Sequence, residues 1–545
     1  MLDAPKPGPI RFAGVPRLTS LFEQRIRRLA NASPADALRG GRKGVEKESL
    51  RVRPDGMLSD APHPRALGCA LTNQYITTDF SEALLEFVTP AFTTSWETLR
   101  FLCDIHQFTY DRLGDELLWA TSMPCRLPAE QDIPLARYGR SNVGRMKTIY
   151  RRGLGYRYGR MMQTIAGVHF NYSLPEAFWP LFQDYEKQTG DLQEFRSTAY
   201  LGLVRNFRRF GWLVLYLFGA SPALCKSFAG NAAAGMSTLD NETWYEPFGT
   251  SLRMSDLGYS NRTQAKINIS LNSLDEYVTD LIEAISTAEP RYQEIGVKPE
   301  GDADEGDYRQ LSVNRLQIEN EYYSPIRPKR VAYSGERPTE ALRRGGVEYV
   351  EIRSIDINVF DPVGINQNVM RFMEVFLIFC LLSDSPPLDD TGLDEAAANQ
   401  SLVARRGRDP ALSLMRNGSA ISLVEWGGEI VDGVRAIADL LDRGTSGRDH
   451  VAAVEAQAAL LADAEATPSA RLLQELRLAG SGFFEFALQA ARGHREYFQA
   501  LAVVNTERLR HFESEAGDSH RRQREIEDSD TLTFEQYLAN YFAGT

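Results

Sequence analysis

The chain has 545 residues, of which 43% are hydrophobic and 25% are charged, a balance typical of a globular protein with a large core. Its net charge of −12 argues against a nucleic acid or an anionic membrane as partner, because both would call for clustered excess cations. Five cysteines without a Cys-x-x-Cys pair predict reduced thiols, no zinc site and a cytoplasmic location.

The N-terminal half predicts a tail, a helix and then alternating strands and helices. Residues 1–16 are rich in proline and lack the apolar stretch of a secretory signal, and residues 17–38 show helical spacing. From about 42 to 360, strand-like runs alternate with helical ones. The strand-like runs are GVEKESLRV, GVHFNYSL, AKINISL and GVEYVEIRSIDINVF, and the helical ones are TSWETLRFLCDIHQFTYDRL and GLVRNFRRFGWLVLYLFG.

The strand-like and helical segments alternate too irregularly for a doubly wound parallel sheet. In addition, several strands alternate polar with apolar residues. This favours an α+β fold with an antiparallel sheet and one working face. Beyond SPPLDDTGLDEAAANQ, the chain is rich in alanine, leucine, glutamate and arginine without clear strands. We therefore predict a tail and helix over 1–37, a catalytic α+β domain over 38–384 and a helical region over 385–545. The apolar run around Cys380 is too short to span a bilayer.

Polar side chains recur at every second position in three of the strand-like runs. Alternate residues of a strand share a face, so each pair projects the same way. The pairs are Glu46 with Glu48, His169 with Asn171, and Glu351 with Arg353. A sheet with one solvated face also produces such pairs, and a single pair carries little weight. Their recurrence in otherwise apolar segments favours a common site.

A further run, TTDFSEALLEF, places Asp79, Glu82 and Glu86 at helical spacing, which predicts one acidic stripe on a helix. Acids gathered from these segments repel one another unless cations lie between them. Carboxylates without a histidine or cysteine cluster indicate a hard cation, Mg²⁺ or Mn²⁺, and such ions most often hold a triphosphate.

The phosphate-binding signals are weaker. The chain has no GxxxxGK[ST] motif, and GLGYRYG at 153–159 resembles a dinucleotide fingerprint only loosely. Arg353 is better placed, because an arginine among metal-binding carboxylates can fork onto a transferring phosphoryl group. The basic run PIRPKR at 325–330 is interpreted as solvated surface.

Longer motifs resemble a known family. They are GVEKESLRV, LTNQYITTDFSEALLEFVTP, QDIPLARYGRSNVGRMKTIYRRGL, MMQTIAGVHFNYSLP, YLFGASPA, TSLRMSDLGYSN, LQIENEYYSPIRPKR and GGVEYVEIRSIDIN. Over about 38–380 the chain closely resembles the proteobacterial glutamate–cysteine ligases, or γ-glutamylcysteine synthetases, and more loosely beyond. The departures are an N-terminal extension, Tyr322 in place of a usual leucine, SIDINVF without the family's proline, and the C-terminal part.

The resemblance implies a funnel-like, mostly antiparallel six-stranded sheet related to the glutamine synthetase catalytic sheet, with helices outside. It implies that ATP phosphorylates the γ-carboxylate of L-glutamate and that the amine of L-cysteine attacks the γ-glutamyl phosphate, in a monomer. By motif, the implied magnesium ligands are Glu46, Glu48, Asp79, Glu86 and Glu351, and Arg353 serves the phosphoryl group. The implied glutamate site contains His169, Asn171 and Arg253, and the implied cysteine pocket contains Phe80, Tyr150, Arg151, Tyr259 and Tyr323.

Three rival functions stay open on the sequence. A related carboxylate–amine ligase would share the sheet and metals but accept another amine. A magnesium-dependent kinase or phosphohydrolase would release phosphate without any amine. A non-catalytic helical scaffold would leave the acidic pairs without a purpose. Each single residue also has a structural interpretation, since most of the 22 tyrosines and most lone histidines serve packing.

Overall fold

An antiparallel sheet lies at the centre of the computed structural model, which describes residues 20–30, 37–229, 235–258, 267–299, 308–333, 335–502 and 505–543. The strands are β1 (Arg42–Val52), β2 (Ile76–Thr78), β3 (Leu84–Val88), β4 (Leu117–Leu118), β5 (Val168–Ser173), β6 (Ala223–Cys225), β7 (Ser237–Thr238), β8 (Thr243–Tyr245), β9 (Ile326–Lys329), β10 (Tyr349–Ile355), β11 (Ser413–Arg416) and β12 (Ser419–Ser422). The main sheet has the order β2-β3-β1-β5-β10-β9, with β4 paired to the end of β1. All its pairings are antiparallel.

Helices surround this sheet and form most of the C-terminal part. In the described residues they are α1 (Ser20–Ala30), α2 (Ser95–Tyr110), α3 (Asn142–Tyr158), α4 (Phe178–Tyr185), α5 (Leu192–Phe210), α6 (Trp212–Phe218), α7 (Lys226–Ala229), α8 (Leu274–Ser286), α9 (Pro290–Ile295), α10 (Pro338–Gly345), α11 (Gln367–Leu382), α12 (Asp390–Arg406), α13 (Leu423–Asp442), α14 (Asp449–Ala462), α15 (Pro468–Ala479), α16 (Phe483–Ala500), α17 (Thr506–Ser529) and α18 (Phe534–Ala543). Among them, none is long and apolar enough to cross a membrane.

The two faces of the main sheet differ in what they contact. Val45 lies opposite Phe170, which in turn lies opposite Ile352, and all three are fully buried on the side covered by helices such as α2, α5 and α6. The residues between them, including Glu46 and Glu351, point to the opposite side because strand side chains alternate. The mixed helical and antiparallel architecture is therefore confirmed, and β4 adds a two-residue seventh strand to the six expected.

Several predicted elements differ from the structure. The expected strand AKINISL is not a strand at 267–271, and its first two residues lie outside the described part. The backbone N–H of Ser270 donates to Asp280 of α8 at 2.7 Å, so this segment bonds a helix side chain instead of a neighbouring strand. The helical run at 202–219 is divided between α5 and α6 at Gly211. Residues 1–16 of the predicted tail are not described.

The C-terminal region contains strands that were not predicted. The strands β11 and β12 pair as a hairpin around Asn417 and Gly418, whose φ angles of 52° and 75° suit the two-residue turn for which Asn-Gly is preferred. That dipeptide was the missed signal. The three-part division of the chain at 37/38 and 384/385 stays a prediction.

The expectation of five reduced thiols is wrong for two of them. A disulfide joins Cys125 and Cys225, whose Cα atoms lie 5.5 Å apart, while Cys69, Cys103 and Cys380 are free. The loop after β4 and strand β6 meet here although they are 100 residues apart, and cysteine spacing alone gives no indication of such a long-range approach.

Candidate active site

The register of the sheet gathers the predicted acids on its open side. Glu48 on β1 lies directly opposite Glu86 on β3, and Glu46 lies opposite His169 on β5. One strand further, Glu351 on β10 lies opposite Asn171. Four strands thus contribute polar side chains to one area, as the period-two pattern predicted for β1, β5 and β10 but not for β3.

All of these side chains except Asn171 line a cavity of about 870 Å³, a size suited to small-molecule ligands. Eleven of the fourteen predicted site residues belong to its wall. They are Glu46, Glu48, Asp79, Phe80, Glu86, Tyr150, Arg151, His169, Tyr323, Glu351 and Arg353. Tyr259 lies outside the described residues, so its predicted place in the cysteine pocket stays a prediction.

The acidic segment TTDFSEALLEF is a strand–turn–strand and not the predicted helix. Ser81 closes the turn between β2 and β3, since its carbonyl accepts from Leu84 N at 2.9 Å, and β3 pairs with β1. Pairing with a central strand therefore overrides the helical spacing. Asp79 and Glu86 reach the cavity, whereas Glu82 accepts from the backbone N–H groups of His63 and Arg137 at 2.9 and 2.8 Å.

Glu46 is fixed by two neighbours on β5. His169 Nδ1 lies 3.0 Å from one carboxylate oxygen, and Asn171 Nδ2 donates to the other at 2.8 Å. Glu46, His169 and Glu351 each offer a ligand atom within 4.8 Å of the others. Asn171, predicted as a glutamate contact, is thus placed to orient Glu46 and is not part of the cavity wall.

The carboxylate of Glu48 is held by a backbone N–H group and lies near His169. One of its oxygens accepts from Gly167 N at 2.6 Å, and the other lies 3.7 Å from His169 Nε2. Burial raises the pKa of Glu48, and the nearby charge of Asp79 adds to this, although His169 opposes it. His169 therefore lies between two acids.

The end of the cavity at Glu86 carries excess negative charge. Burial raises the pKa of Glu86 well above its usual range, and the like charges of Glu46, Asp79 and Glu48 raise it further. A group of carboxylates that disfavour each other's ionised forms is what a bound cation would relieve.

At the other end, cations surround Glu351. Its Oε1 lies 3.4 Å from Arg353 Nη1 and 3.7 Å from Lys329 Nζ, and its Oε2 lies 4.0 Å from Arg327 Nη1. Burial works to raise the pKa of Glu351, but these three cations outweigh it and hold the pKa well below its usual range. Its buried Oε2 accepts no hydrogen bond within the described part of the chain.

The sequence did not predict two of these cations, Arg327 and Lys329, as site residues. Arg327 and Lys329 belong to PIRPKR, interpreted there as solvated surface, yet both line the cavity and Arg327 is buried. They lie on β9 next to β10, with Arg327 directly opposite Glu351. Their period-two spacing was the available signal.

Arg253 does not reach the cavity in the way predicted for a glutamate contact. Its side chain is 2% exposed and its Nη1 lies 3.7 Å from Asp356, while Nη2 donates to the carbonyl of Arg353 at 2.8 Å. A Cβ on Gly167 would lie 2.0 Å from this guanidinium, so a larger residue there would displace the Arg253 side chain. Arg253 thus braces the end of β10, and its role toward glutamate stays a prediction.

Aromatic residues line the cavity near Asp79. Phe80 and Tyr150 belong to this part of the wall. Tyr323 also lines the cavity, but on the side of Arg253 and Arg353, and its hydroxyl lies 3.2 Å from Met254 Sδ. Arg151 Nε donates to the Asp79 carbonyl, and its Nη2 lies 3.8 Å from the Asp79 carboxylate. An apolar pocket with an arginine at its edge therefore adjoins the acids.

Known proteins resemble this chain over most of its length. The family model for glutamate–cysteine ligase matches residues 26–403. The chain belongs to the glutamate–cysteine ligase family. A family member from Alcanivorax borkumensis is 48% identical over 96% of this chain and 99% of its own length, and one from Pseudomonas putida is 47% identical over 92% and 94%.

Solved structures show the same relationship. A glutamate–cysteine ligase from Francisella tularensis, in complex with AMP, matches with a TM-score of 0.86 at 35% identity, over 92% of this chain and 98% of that chain. A bifunctional glutathione synthetase from Pasteurella multocida matches with a TM-score of 0.69 at 23% identity, over 88% and 55%. The second likeness shows a shared fold.

Proposed function

We propose that this member of the glutamate–cysteine ligase family joins the γ-carboxylate of L-glutamate to the amine of L-cysteine at the expense of ATP. A carboxylate does not react with an amine at a useful rate, so ATP first phosphorylates it. The cysteine amine then attacks the γ-glutamyl phosphate and phosphate leaves, giving γ-glutamylcysteine, the first intermediate of glutathione biosynthesis. The observation that carries the proposal is the acid-lined cavity in a chain of this family.

We propose Mg²⁺ or Mn²⁺ as the cation of this site. The donor set fits a hard cation, because carboxylate oxygens of Glu46, Glu48, Glu86, Glu351 and Asp79 face one cavity. Glu351 has a buried oxygen without a hydrogen bond from the described residues, and the four acids Glu46, Glu48, Asp79 and Glu86 outnumber the cations Arg151 and Lys147 beside them. Such an ion would neutralise the ATP phosphates as the phosphoryl group transfers.

The cations at the Glu351 end are assigned to the phosphates. Arg353 projects from β10 beside Glu351, and a guanidinium there can form two parallel hydrogen bonds to a phosphoryl group. Arg327 and Lys329 approach from β9 and add positive charge. Their attraction to Glu351 also keeps the three side chains directed into the cavity before ATP arrives.

The aromatic side is assigned to cysteine. Phe80, Tyr150 and Tyr323 offer ring surfaces, against which sulfur packs favourably, and Arg151 is close enough to contact a carboxylate. We place glutamate between this pocket and the phosphates, near His169. Bound substrates that exclude water from the cavity would also protect the acyl phosphate.

Other parts of the assignment are proposals at the same level. We propose a cytoplasmic monomer, a relation of the main sheet to the glutamine synthetase catalytic sheet, and a catalytic domain over 38–384 flanked by the two other regions. Analytical ultracentrifugation tests the monomer, and limited proteolysis tests the division.

The deciding experiment measures ADP formation from ATP, Mg²⁺ and glutamate with and without cysteine, and then with a panel of other amino acids. We expect ADP release that depends on cysteine and a product of the mass of γ-glutamylcysteine. Faster turnover with another amine would indicate a different carboxylate–amine ligase. Release without any amine would indicate a phosphohydrolase, and no thermal shift with Mg·ATP would indicate a scaffold.

A further inference from the structure

Tyr138, just before α3, contacts two parts of the site from behind. It is 2% exposed and does not belong to the described cavity wall. Its hydroxyl lies 2.6 Å from the carbonyl of Thr78 and 3.1 Å from that of Asp79, to which it donates. The backbone at Asp79 is therefore anchored at the position where β2 ends and the carboxylate enters the cavity.

The ring of the same tyrosine supports the arginine of the proposed cysteine pocket. The Arg151 guanidinium carbon lies 4.6 Å from the ring centroid, and Lys147 Nζ lies 5.3 Å from it. Arg151 Nε donates in turn to the Asp79 carbonyl. One side chain thus contacts both Asp79, a proposed metal ligand, and Arg151, a proposed cysteine contact.

Tyr138 is itself held by α17, the second-last helix of the described chain. Gln523 Nε2 donates to the Tyr138 carbonyl at 3.0 Å, and Glu527 accepts from Arg140 N at 2.9 Å. The backbone N–H of Asn142, where α3 begins, donates to Asp530 at the end of α17. The turn that carries Tyr138 is fixed from outside the cavity, so the tyrosine has a rigid base from which to act.

We propose that Tyr138 is a positioning residue that sets the place of the Asp79 carboxylate and of the Arg151 guanidinium. The inference rests on the proposed function for the roles of these two residues, and it goes beyond that function by adding a residue that touches no substrate. It predicts selective effects on magnesium and cysteine, because glutamate and ATP are assigned to other walls of the cavity.

The test uses two variants of the full-length chain. Tyr138→Phe keeps the ring and removes the hydroxyl, and we expect the Mg²⁺ concentration for half-maximal rate to rise about two- to tenfold, the size of one hydrogen bond. Tyr138→Leu also removes the surface under Arg151, and we expect the KM for cysteine to rise about tenfold or more. At saturating Mg²⁺, the KM values for glutamate and ATP should stay within about twofold.

Tyr200→Phe is the matched control. Tyr200 is equally buried, and its hydroxyl accepts from Leu174 N at 3.1 Å, away from the cavity. This variant should lower thermal stability without any selective change in kinetics. Equal changes in all KM values, no change in a folded Tyr138→Phe variant, or the same pattern in Tyr200→Phe would overturn the proposal.

A separate readout distinguishes this inference from the proposed function. Thermal shift against Mg²⁺ alone measures cation binding without turnover, and the midpoint concentration should rise in Tyr138→Phe relative to the unaltered chain. If the unaltered chain shows no cysteine-dependent ADP release, the proposed function fails, while the magnesium titration still decides whether Tyr138 positions Asp79. An unchanged midpoint would refute that positioning.

Discussion

Two groups of buried charges lie on opposite faces of β1, and they differ in how their charge is balanced. On the helix side, Lys43 Nζ lies 2.9 Å from Glu374. His450 completes this group, with its ring nitrogens 2.6 Å from Asp442 and 3.4 Å from Glu374. On the cavity side, Glu86 lies among like charges.

The pKa values express the same difference. Burial works to raise the pKa of Glu374, but Lys43 and His450 outweigh it and lower the pKa, whereas the pKa of Glu86 is raised by burial and by its acidic neighbours. The first group is neutralised by the protein's own cations, as a structural charge cluster must be. In the second group, four acids exceed the neighbouring cations Arg151 and Lys147, and we infer cation binding from that excess of negative charge. Substitutions in either of the two groups test this difference in charge balance.

Glu374→Gln should produce the largest effect, and on stability alone. Lys43 would be left buried without its counter-charge, and breaking such a pair costs about 3–5 kcal/mol of the free energy of unfolding. Denaturant unfolding measures it. Asp449→Asn is the control, because its pair with Arg371 joins the same helices at 2.7 Å but is exposed and contributes about 1 kcal/mol or less. Equal losses would contradict the structural assignment of Glu374.

Glu351→Gln should act on catalysis instead. Loss of a ligand for a cation that contributes several kcal/mol to the transition state should lower kcat about 10²–10³-fold. The chain should still fold, with a lower thermal midpoint because Glu351 balances the charges of Arg353, Lys329 and Arg327. Glu348→Gln, just before the same strand, should keep normal turnover. Failure of Glu351→Gln to fold would place Glu351 with the structural acids.

Arg353→Lys should lower turnover by a smaller factor, about ten- to a hundredfold, because lysine keeps the charge but cannot form the two parallel bonds of a guanidinium. Initial rates at saturating ATP measure it. Arg371→Lys on the surface of α11 serves as control. Near-normal activity of Arg353→Lys would remove Arg353 from the mechanism.

The smallest effect is on the pH dependence of stability. Burial disfavours the charged form of His450, but the hydrogen bonds and charges of Glu374 and Asp442 outweigh it and raise its pKa above 6.5. The stabilisation by His450 is therefore fully present below pH 6.5 and is lost as the pH rises through the raised pKa. His450→Gln should remove this part of the pH profile of the free energy of unfolding. An unchanged profile would show that His450 does not contribute.

The sequence predicts those strands whose hydrophobic pattern agrees with their place in the sheet. Alternation in GVEKESLRV and GVEYVEIRSIDINVF places Glu46, Glu48 and Glu351 correctly, because one face of each strand must be buried. The family motifs add Asp79 and Glu86, although the local interpretation as a helical stripe was wrong. Spacing within one segment does not reveal its pairing with β1.

Long-range contacts account for the other differences. The approach of Cys125 to Cys225 and the bracing of Arg253 by Asp356 depend on how distant segments meet. Arg327 and Lys329 were missed because a basic run next to proline resembles surface until β9 is seen beside β10. The disulfide and the contact of Arg253 with Asp356 follow from tertiary packing, whereas Arg327 and Lys329 also had a period-two spacing within their run.

Because side chains alternate along β1, both folding and chemistry depend on the register of this strand with its neighbours β3 and β5. Deleting one residue between Lys43 and Glu46 would shift the downstream part of the strand by one position, turning Lys47 toward the cavity and Glu48 toward the helices. Lys47 and Glu48 would each then lie on the face of the sheet that suits the other. Length changes in β1 should therefore be far less acceptable to this chain than substitutions at most of its positions.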